Sequence, residues 1–218
     1  MKYSFALPVI LASMAFTACG SNTGVHDAGT DVVSSNDTTP ADSTSADTQA
    51  CVSTAPPPNS AYCAMSGCAF APVSLPHCDG SGNYDFYGPD YCGVRATVMV
   101  ISAGWCVPCM IEAPMIQSII TEGYADRGVR VITVYAQNPD GSTPDDTNCN
   151  NWRTAYHLTS HMTRDPMGAT QRYVPGNAFP SNVVIDQHGN IYDVIYGSET
   201  GLTTLTSDLD AILASQGI

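Results

Sequence analysis

The stretch Gly104-Trp105-Cys106-Val107-Pro108-Cys109 connects two segments of different periodicity. Residues 96–101 before it are almost continuously apolar, which is typical of a strand buried on both faces. Residues 107–124 carry apolar side chains at helical intervals, which predicts a helix. The two cysteines therefore lie where a buried strand passes into a helix, and their spacing lets the two sulfurs bond to each other across one helical turn.

The two cysteines are predicted to be chemically unequal. Cys106 begins the helix, where unpaired N–H groups stabilise a thiolate, so we expect it to be the accessible, attacking sulfur. Cys109 lies one turn further in, and we expect it to stay buried and protonated until it resolves a mixed disulfide. Pro108 suits the first helical turn, where an N–H would have no partner. Trp105 is expected to shield the thiolate and to offer a face to a substrate chain.

The alternatives for this cysteine pair are an inert disulfide and half of a four-ligand metal site. The chain has no second C-x₂-C motif, and Met110 stands where haem attachment would require a histidine. A redox-active pair is therefore the favoured interpretation.

The segments that follow predict an α/β fold with a mixed sheet. Residues 129–135 form a second apolar strand, and strand, helix and strand in this order indicate a right-handed parallel crossover. A turn at 187–190 joins two further strands into a hairpin, which adds antiparallel strands. In full, we expect strands at 182–185 and 191–196 and helices around 151–158, 168–173 and 202–214.

The run from Trp105 to Pro114, WCVPCMIEAP, resembles the W-C-x-P-C-x-x-E-x-P signature of TlpA/ResA-type extracytoplasmic thiol–disulfide oxidoreductases in the thioredoxin-like superfamily. The resemblance covers roughly residues 93–218. It implies a thioredoxin-like fold, with a mixed central sheet and helices on both faces, and reversible disulfide exchange at Cys106 and Cys109. It also implies a cis-proline that faces the two sulfurs.

The resemblance assigns the cis-proline to Pro180, which is followed by the apolar run 183–185. A cis bond would expose the preceding backbone to an antiparallel substrate strand. The alternatives are an ordinary proline at the start of a strand, and Pro175, which no apolar run follows.

The resemblance also assigns Glu112 to the proton of the buried sulfur. Glu112 comes three residues after Cys109 and so lies on the same helical face. Cytoplasmic thioredoxins use a buried aspartate that would fall near Val100, and the sequence has no acid there. A glutamate that faces solvent is the alternative.

The N-terminal region predicts export. Residues 1–18 contain Lys2 and an apolar stretch too short for a permanent membrane span, as in a signal peptide. They end in a sequence that resembles a lipobox, so we expect a lipid on Cys19; a plain cleaved signal is the alternative. Residues 19–50 lack aromatic and cationic side chains and are expected to form a disordered tether. The chain is thus expected on the periplasmic face of a bacterial membrane, inner or outer.

Residues 51–92 are predicted to be an irregular, cysteine-rich extension of a domain that begins at residue 93. Because the extension holds an odd number of cysteines, complete pairing requires one of them to bond to Cys149, which lies downstream in a polar stretch predicted to be a loop. The six structural disulfide candidates are Cys51, Cys63, Cys68, Cys78, Cys92 and Cys149.

Metal binding is the less favoured interpretation of the remaining polar clusters. A zinc site would use Cys63, Cys68, His77 and Cys78, without the paired knuckles typical of such sites. A calcium loop would use Asp79, Ser81, Asn83, Asp85 and Asp90, but Tyr84 stands where the loop requires glycine. His157 and His161 could meet only on an uninterrupted helix.

Composition and motif together favour an exported enzyme. The 218 residues carry a net charge of −13, which argues against a nucleic-acid partner, and nine cysteines favour an oxidising compartment. We expect disulfide-bearing protein substrates, a membrane thiol or electron carrier, no cofactor or metal, and a monomer. Reduction, as in c-type cytochrome maturation, is favoured over oxidation. The alternatives are a peroxidase, whose P-x-x-x-T-x-x-C segment is missing, and a copper-binding module, which would resemble C-x₃-C.

Overall fold

The computed structural model describes residues 62–91 and 93–218. The predicted signal peptide, the lipidation site Cys19, the tether, Cys51 and Cys92 lie outside the described residues. In chain order the strands are β1 Ser74–Pro76, β2 Asn83–Asp85, β3 Ala96–Ala103, β4 Val129–Gln137, β5 His161–Arg164, β6 Ser181–Asp186 and β7 Ile191–Tyr196. The α-helices are α1 Val107–Met115, α2 Asp146–Ala155 and α3 Thr203–Ser215.

A five-stranded mixed sheet in the order β5-β4-β3-β6-β7 forms the centre of the fold. The central strand β3 runs parallel to β4 and antiparallel to β6, and β6 and β7 form the predicted hairpin. The α/β class and the mixed sheet are therefore confirmed.

Alternate side chains of each strand point to opposite faces of the sheet, and other elements cover both faces. Residues 62–91 and α2 pack on the first face, and α3 packs on the second. The first core includes Phe70, Leu75, Tyr84, Phe86, Met99, Ile101, Ile132, Val134, Trp152, Val183 and Ile185. The second includes Val98, Val100, Ile116, Ile120, Val131, Val184, Leu205, Leu209 and Ile212.

The helix after the cysteines changes its geometry within the predicted range 107–124. Pro114 lies inside α1, has no N–H to donate to the preceding turn and so weakens the α-helical pattern there. A π-helical segment, Ile116–Glu122, follows directly. At the junction the Ile116 N–H bonds to the carbonyls of both Ala113 and Glu112.

Helix α2 begins earlier than the predicted 151–158. The Asp145 side chain caps the helix by accepting a hydrogen bond from the Asn148 N–H at 2.8 Å. Cys149, predicted in a loop, therefore lies in α2. The helix ends at Ala155, and His161 belongs to β5, a strand that the sequence did not predict, so His157 and His161 do not share a helix.

The extension is less irregular than predicted. Its strands β1 and β2 form a small antiparallel hairpin. The segment contacts both outer strands of the main sheet: the Gly67 N–H donates to the Ile191 carbonyl of β7 at 2.8 Å, and the Cys78 N–H donates to the Met162 carbonyl of β5 at 3.2 Å. Residues 62–91 thus cross the sheet and share its core.

Two disulfides hold this segment. One joins Cys63 to Cys68, and the other joins Cys78 to Cys149 in α2. The cysteines of the alternative zinc site are therefore bonded to sulfur. In residues 62–91 and 93–218, no group of three or more His, Cys, Asp or Glu side chains could hold a metal ion. None of the helices in this part of the chain combines the length and the apolar character that crossing a bilayer requires.

Replacing Cys78 and Cys149 together with serine should lower the free energy of unfolding by about 4 kcal/mol, because this bridge closes a loop with a sequence separation of 71. The matched control replaces Cys63 and Cys68, whose separation is 5, and should lose about 2 kcal/mol. Urea unfolding without reductant measures both. Equal losses would contradict the greater role of the long bridge.

Candidate active site

The pair Cys106 and Cys109 forms a disulfide at the start of α1, with 5.2 Å between the two Cα atoms. Cys106 is the N-cap residue in an extended conformation, and its sulfur accepts a hydrogen bond from the Cys109 N–H at 3.1 Å. Pro108 lies in the first turn. The sulfur of Cys106 therefore lies at the helix start and accepts a hydrogen bond from one of its N–H groups, an arrangement that stabilises a thiolate.

Cys106 is buried in this disulfide form, whereas the prediction of an accessible, attacking sulfur concerns its free thiolate and stays a prediction. Its exposed fraction is 2%, and that of Cys109 is 1%. Both sulfurs turn inward to bond to each other and lie in the same apolar cluster as Phe179. Access to Cys106 therefore depends on the side chains around the bond.

The two residues before Cys106 are fixed by β4 and by the loop after it. A Cβ at Gly104 would collide with the Tyr135 hydroxyl and lie 2.9 Å from the Pro139 backbone nitrogen, so only glycine fits there. The indole N–H of Trp105 donates to the Gln137 side-chain carbonyl at 2.7 Å, and its ring meets Phe179 edge-on with 5.6 Å between centroids. Trp105 remains 41% exposed, which leaves one ring face open beside the cysteines.

Pro180 lies at the same end of the sheet as the cysteine pair. The Phe179–Pro180 peptide bond is cis, and the Pro180 carbonyl accepts a hydrogen bond from the Gly197 N–H at 2.8 Å. Ser181, the next residue, pairs with Ile101 near the end of β3. The rival Pro175 instead begins a short 3₁₀-helix.

Glu112 is buried with an exposed fraction of 1%, so the alternative of a solvent-facing side chain is wrong. The Asn182 amide donates to its Oε1 at 2.8 Å, and Oε2 has no hydrogen-bond partner among the described residues. Burial raises the pKa of Glu112 from 4.5 to about 7, although the Asn182 amide and the Glu199 backbone N–H lower it. A carboxyl group with this pKa can take and release a proton near neutral pH.

Sequence reasoning missed Asn182 and Gln137 at this site. The signal for Asn182 was present, since it is a polar residue beside an apolar run, but its significance depends on the pairing that sets it opposite Val100. Gln137 gives no comparable signal, because it ends β4 and contacts Trp105 only in the folded chain.

The profile of the Redoxin family matches residues 88–213 of the 218-residue chain. No curated protein is significantly similar in sequence.

Solved bacterial structures share the fold at low identity. A candidate thiol:disulfide interchange protein DsbE from Chlorobium tepidum is 19% identical, with a TM-score of 0.57 over 70% of this chain and 99% of that one. A thioredoxin family interchange protein from Chlorobium tepidum TLS is 19% identical, with a TM-score of 0.52 over 71% and 98%. A secreted Mycobacterium tuberculosis disulfide oxidoreductase homologous to E. coli DsbE is 19% identical, with a TM-score of 0.50 over 64% and 95%. These likenesses show the thioredoxin-like fold.

The buried carboxyl of Glu112 should make stability depend on pH. In the native disulfide form it keeps its proton up to about pH 7, whereas the unfolded chain releases it near 4.5. Between these values the native state binds more protons than the unfolded state, so stability falls as pH rises. We expect this group to account for a loss of roughly 3 kcal/mol by about pH 8.

Urea unfolding of the wild type and of Glu112→Gln across this pH range measures the effect. The variant should be similar to the wild type at low pH and more stable at high pH. Asp208, whose pKa is raised to about 6 mainly by burial, contributes equally in both proteins. Parallel stability curves would contradict the ionisation of Glu112 in this range.

Proposed function

This chain is a thioredoxin-fold thiol–disulfide oxidoreductase of the redoxin family, and from this premise we propose that it reduces disulfides in exported proteins through Cys106 and Cys109. The observation that carries the proposal is the Cys106–Cys109 disulfide at the start of α1, with a buried Glu112 one turn further along that helix and the cis Phe179–Pro180 bond at the same end of the sheet. In this proposal Trp105 shields the Cys106 sulfur and offers its open ring face to the substrate chain.

The proposed cycle moves two electrons to the substrate. The Cys106 thiolate attacks a substrate disulfide, which forms a mixed disulfide and releases one substrate sulfur as a thiolate. Cys109 then gives its proton to Glu112 and attacks the Cys106 sulfur. The bond between Cys106 and the substrate breaks, the second substrate sulfur leaves with the electron pair, and the Cys106–Cys109 disulfide forms. A membrane thiol carrier returns the two electrons to the enzyme.

We propose reduction rather than oxidation of substrate disulfides because the chain resembles the thiol–disulfide reductases of c-type cytochrome maturation. Net flux depends on the reduction potential of the Cys106–Cys109 pair relative to its partners, where about 30 mV corresponds to roughly 1.4 kcal/mol. Measuring this potential separates a reductase from an oxidase.

The proposed location is outside the cytoplasm. Residues 1–18 act as the signal peptide, a lipid on Cys19 holds the chain on a bacterial membrane, and residues 19–50 form the tether. The extension 51–92 and the domain 93–218 then work above the membrane as a monomer. The two disulfides outside the redox pair support this location, because such bonds persist in oxidising compartments.

Replacing Cys109 with serine should trap substrates as mixed disulfides on Cys106, because the resolving sulfur is gone. Non-reducing electrophoresis of protein captured from exported extracts, followed by mass spectrometry, identifies the partners. The variant that also lacks Cys106 is the control and should trap nothing. If the single variant traps no protein and the wild type does not reduce insulin, the proposed function is wrong.

Replacing Cys19 with serine should release the protein from the membrane fraction, since no acyl chain can then attach. Cell fractionation and intact-mass measurement of the processed chain follow the change. Ser21→Ala is the matched control and should remain in the membrane fraction. An unlipidated wild-type chain would contradict the anchor without affecting the redox proposal.

A further inference from the structure

Asn182 is the polar partner of the buried acid, and sequence reasoning did not assign it. It lies in β6 opposite Val100 of β3, and its exposed fraction is 1%. Its amide donates to Oε1 of Glu112 at 2.8 Å. The hydrogen bond therefore joins the active-site helix to the strand that follows Pro180.

The hydrogen bonds of Glu112 are unequally divided between its two oxygens. Oε1 is held by the Asn182 amide, whereas Oε2 is buried and has no partner in the described part of the chain. A buried oxygen without a donor is unfavourable by about 1–3 kcal/mol unless a proton reaches it. Oε2 is thus the atom at which a proton is most strongly favoured.

We propose that Asn182 is a positioning residue for the proton transfer: its amide fixes Oε1 of Glu112 and so leaves Oε2 to take the proton of Cys109. The inference rests on the proposed function, in which Cys109 must lose its proton before it attacks the Cys106 sulfur. In that step the S–H bond of Cys109 breaks, an O–H bond forms at Oε2, and the sulfur keeps the electron pair.

The donated hydrogen bond also stabilises the carboxylate that must receive the proton. Burial alone would keep Glu112 protonated and unable to act as a base, and the Asn182 amide opposes this effect by lowering the pKa. Glu199, in the segment between β7 and α3, also faces Glu112: its backbone N–H lowers the pKa and its charge raises it. Cys109 precedes Glu112 by about one turn of their shared helix α1.

The test is an NMR titration of the full chain in its disulfide form with ¹³C-labelled glutamate carboxyls. The chain contains only three glutamates, Glu112, Glu122 and Glu199, so Glu112→Gln identifies the Glu112 signal. In Asn182→Leu, which keeps the shape of the side chain but removes the donor, the Glu112 midpoint should rise by about one pH unit or more. Asn182→Ala removes the same donor in a smaller side chain, so it should shift the midpoint in the same direction.

The matched control is Thr97→Val, which removes a buried polar group of the neighbouring strand β3 and should leave the Glu112 midpoint unchanged. Stopped-flow measurements give the rate at which the mixed disulfide is resolved as a function of pH. In Asn182→Leu this pH profile should move to higher pH together with the Glu112 midpoint, and at pH values below that midpoint the rate should be about tenfold lower than in the wild type. If the Asn182→Leu variant does not fold, Asn182→Ala carries the test alone.

An unchanged midpoint in a folded Asn182 variant would overturn the inference. A lowered midpoint would overturn it too, because the amide would then hold the protonated acid through its buried Oδ1 rather than prepare the carboxylate. The titration needs no substrate, so its result is independent of the insulin and trapping assays. If the wild type does not reduce insulin and the Cys109→Ser variant traps no protein, the proposed function is wrong, whatever the titration shows.

Discussion

Ser181 lies opposite Ile101 and Asn182 opposite Val100 in the antiparallel pairing of β6 with β3, and the redox site depends on this register. The pairing brings the end of β3, from which the chain passes into the cysteine helix, next to the segment that carries Pro180. It also places Asn182 where its amide meets Glu112. A slip of one residue would turn Asn182 to the opposite face of the sheet and leave the buried carboxyl without its donor. The register is protected because β3 and β6 lie inside the sheet and each pairs with a strand on both sides.

The extension protects the outer strands of the same sheet. A free strand edge presents unpaired N–H and C=O groups that can pair with another chain. Residues 62–91 bond to Ile191 at the start of β7 and to Met162 in β5, so one segment reaches both edges. The Cys78–Cys149 disulfide fastens it to α2, which packs on the first face. The segment thus stabilises the sheet at both outer strands: on β7 beside Ile185, at the end of β6 away from Pro180, and on β5 at the level of Asn182.

The sequence predicted the local features well and the long-range ones poorly. The strand–cysteine–helix transition and the β6–β7 hairpin follow from periodicity and turn residues that are adjacent in the chain. The start of α2 was missed because Asp145, its cap, lies in a polar stretch without apolar periodicity. Strand β5 has only four residues, and it is a strand because it pairs with β4. The role of Asn182 likewise depends on a register that no single segment encodes.

The active site has few groups that can stabilise a negative charge. Helix α1 contains no basic residue and the chain has a net charge of −13, so cationic side chains of that helix do not stabilise the Cys106 thiolate. Within that helix the stabilisation comes from the N–H groups of the helix start, which are neutral dipoles of limited strength. A second full charge at Glu112 is therefore unfavourable, and its burial makes it more so. When Cys109 passes its proton to Glu112, the carboxylate is neutralised and the charge leaves on the substrate sulfur. While the mixed disulfide is resolved, Cys106 is neutral and only one of Cys109 and Glu112 is charged. The amide of Asn182 sets how readily the proton passes between these two groups.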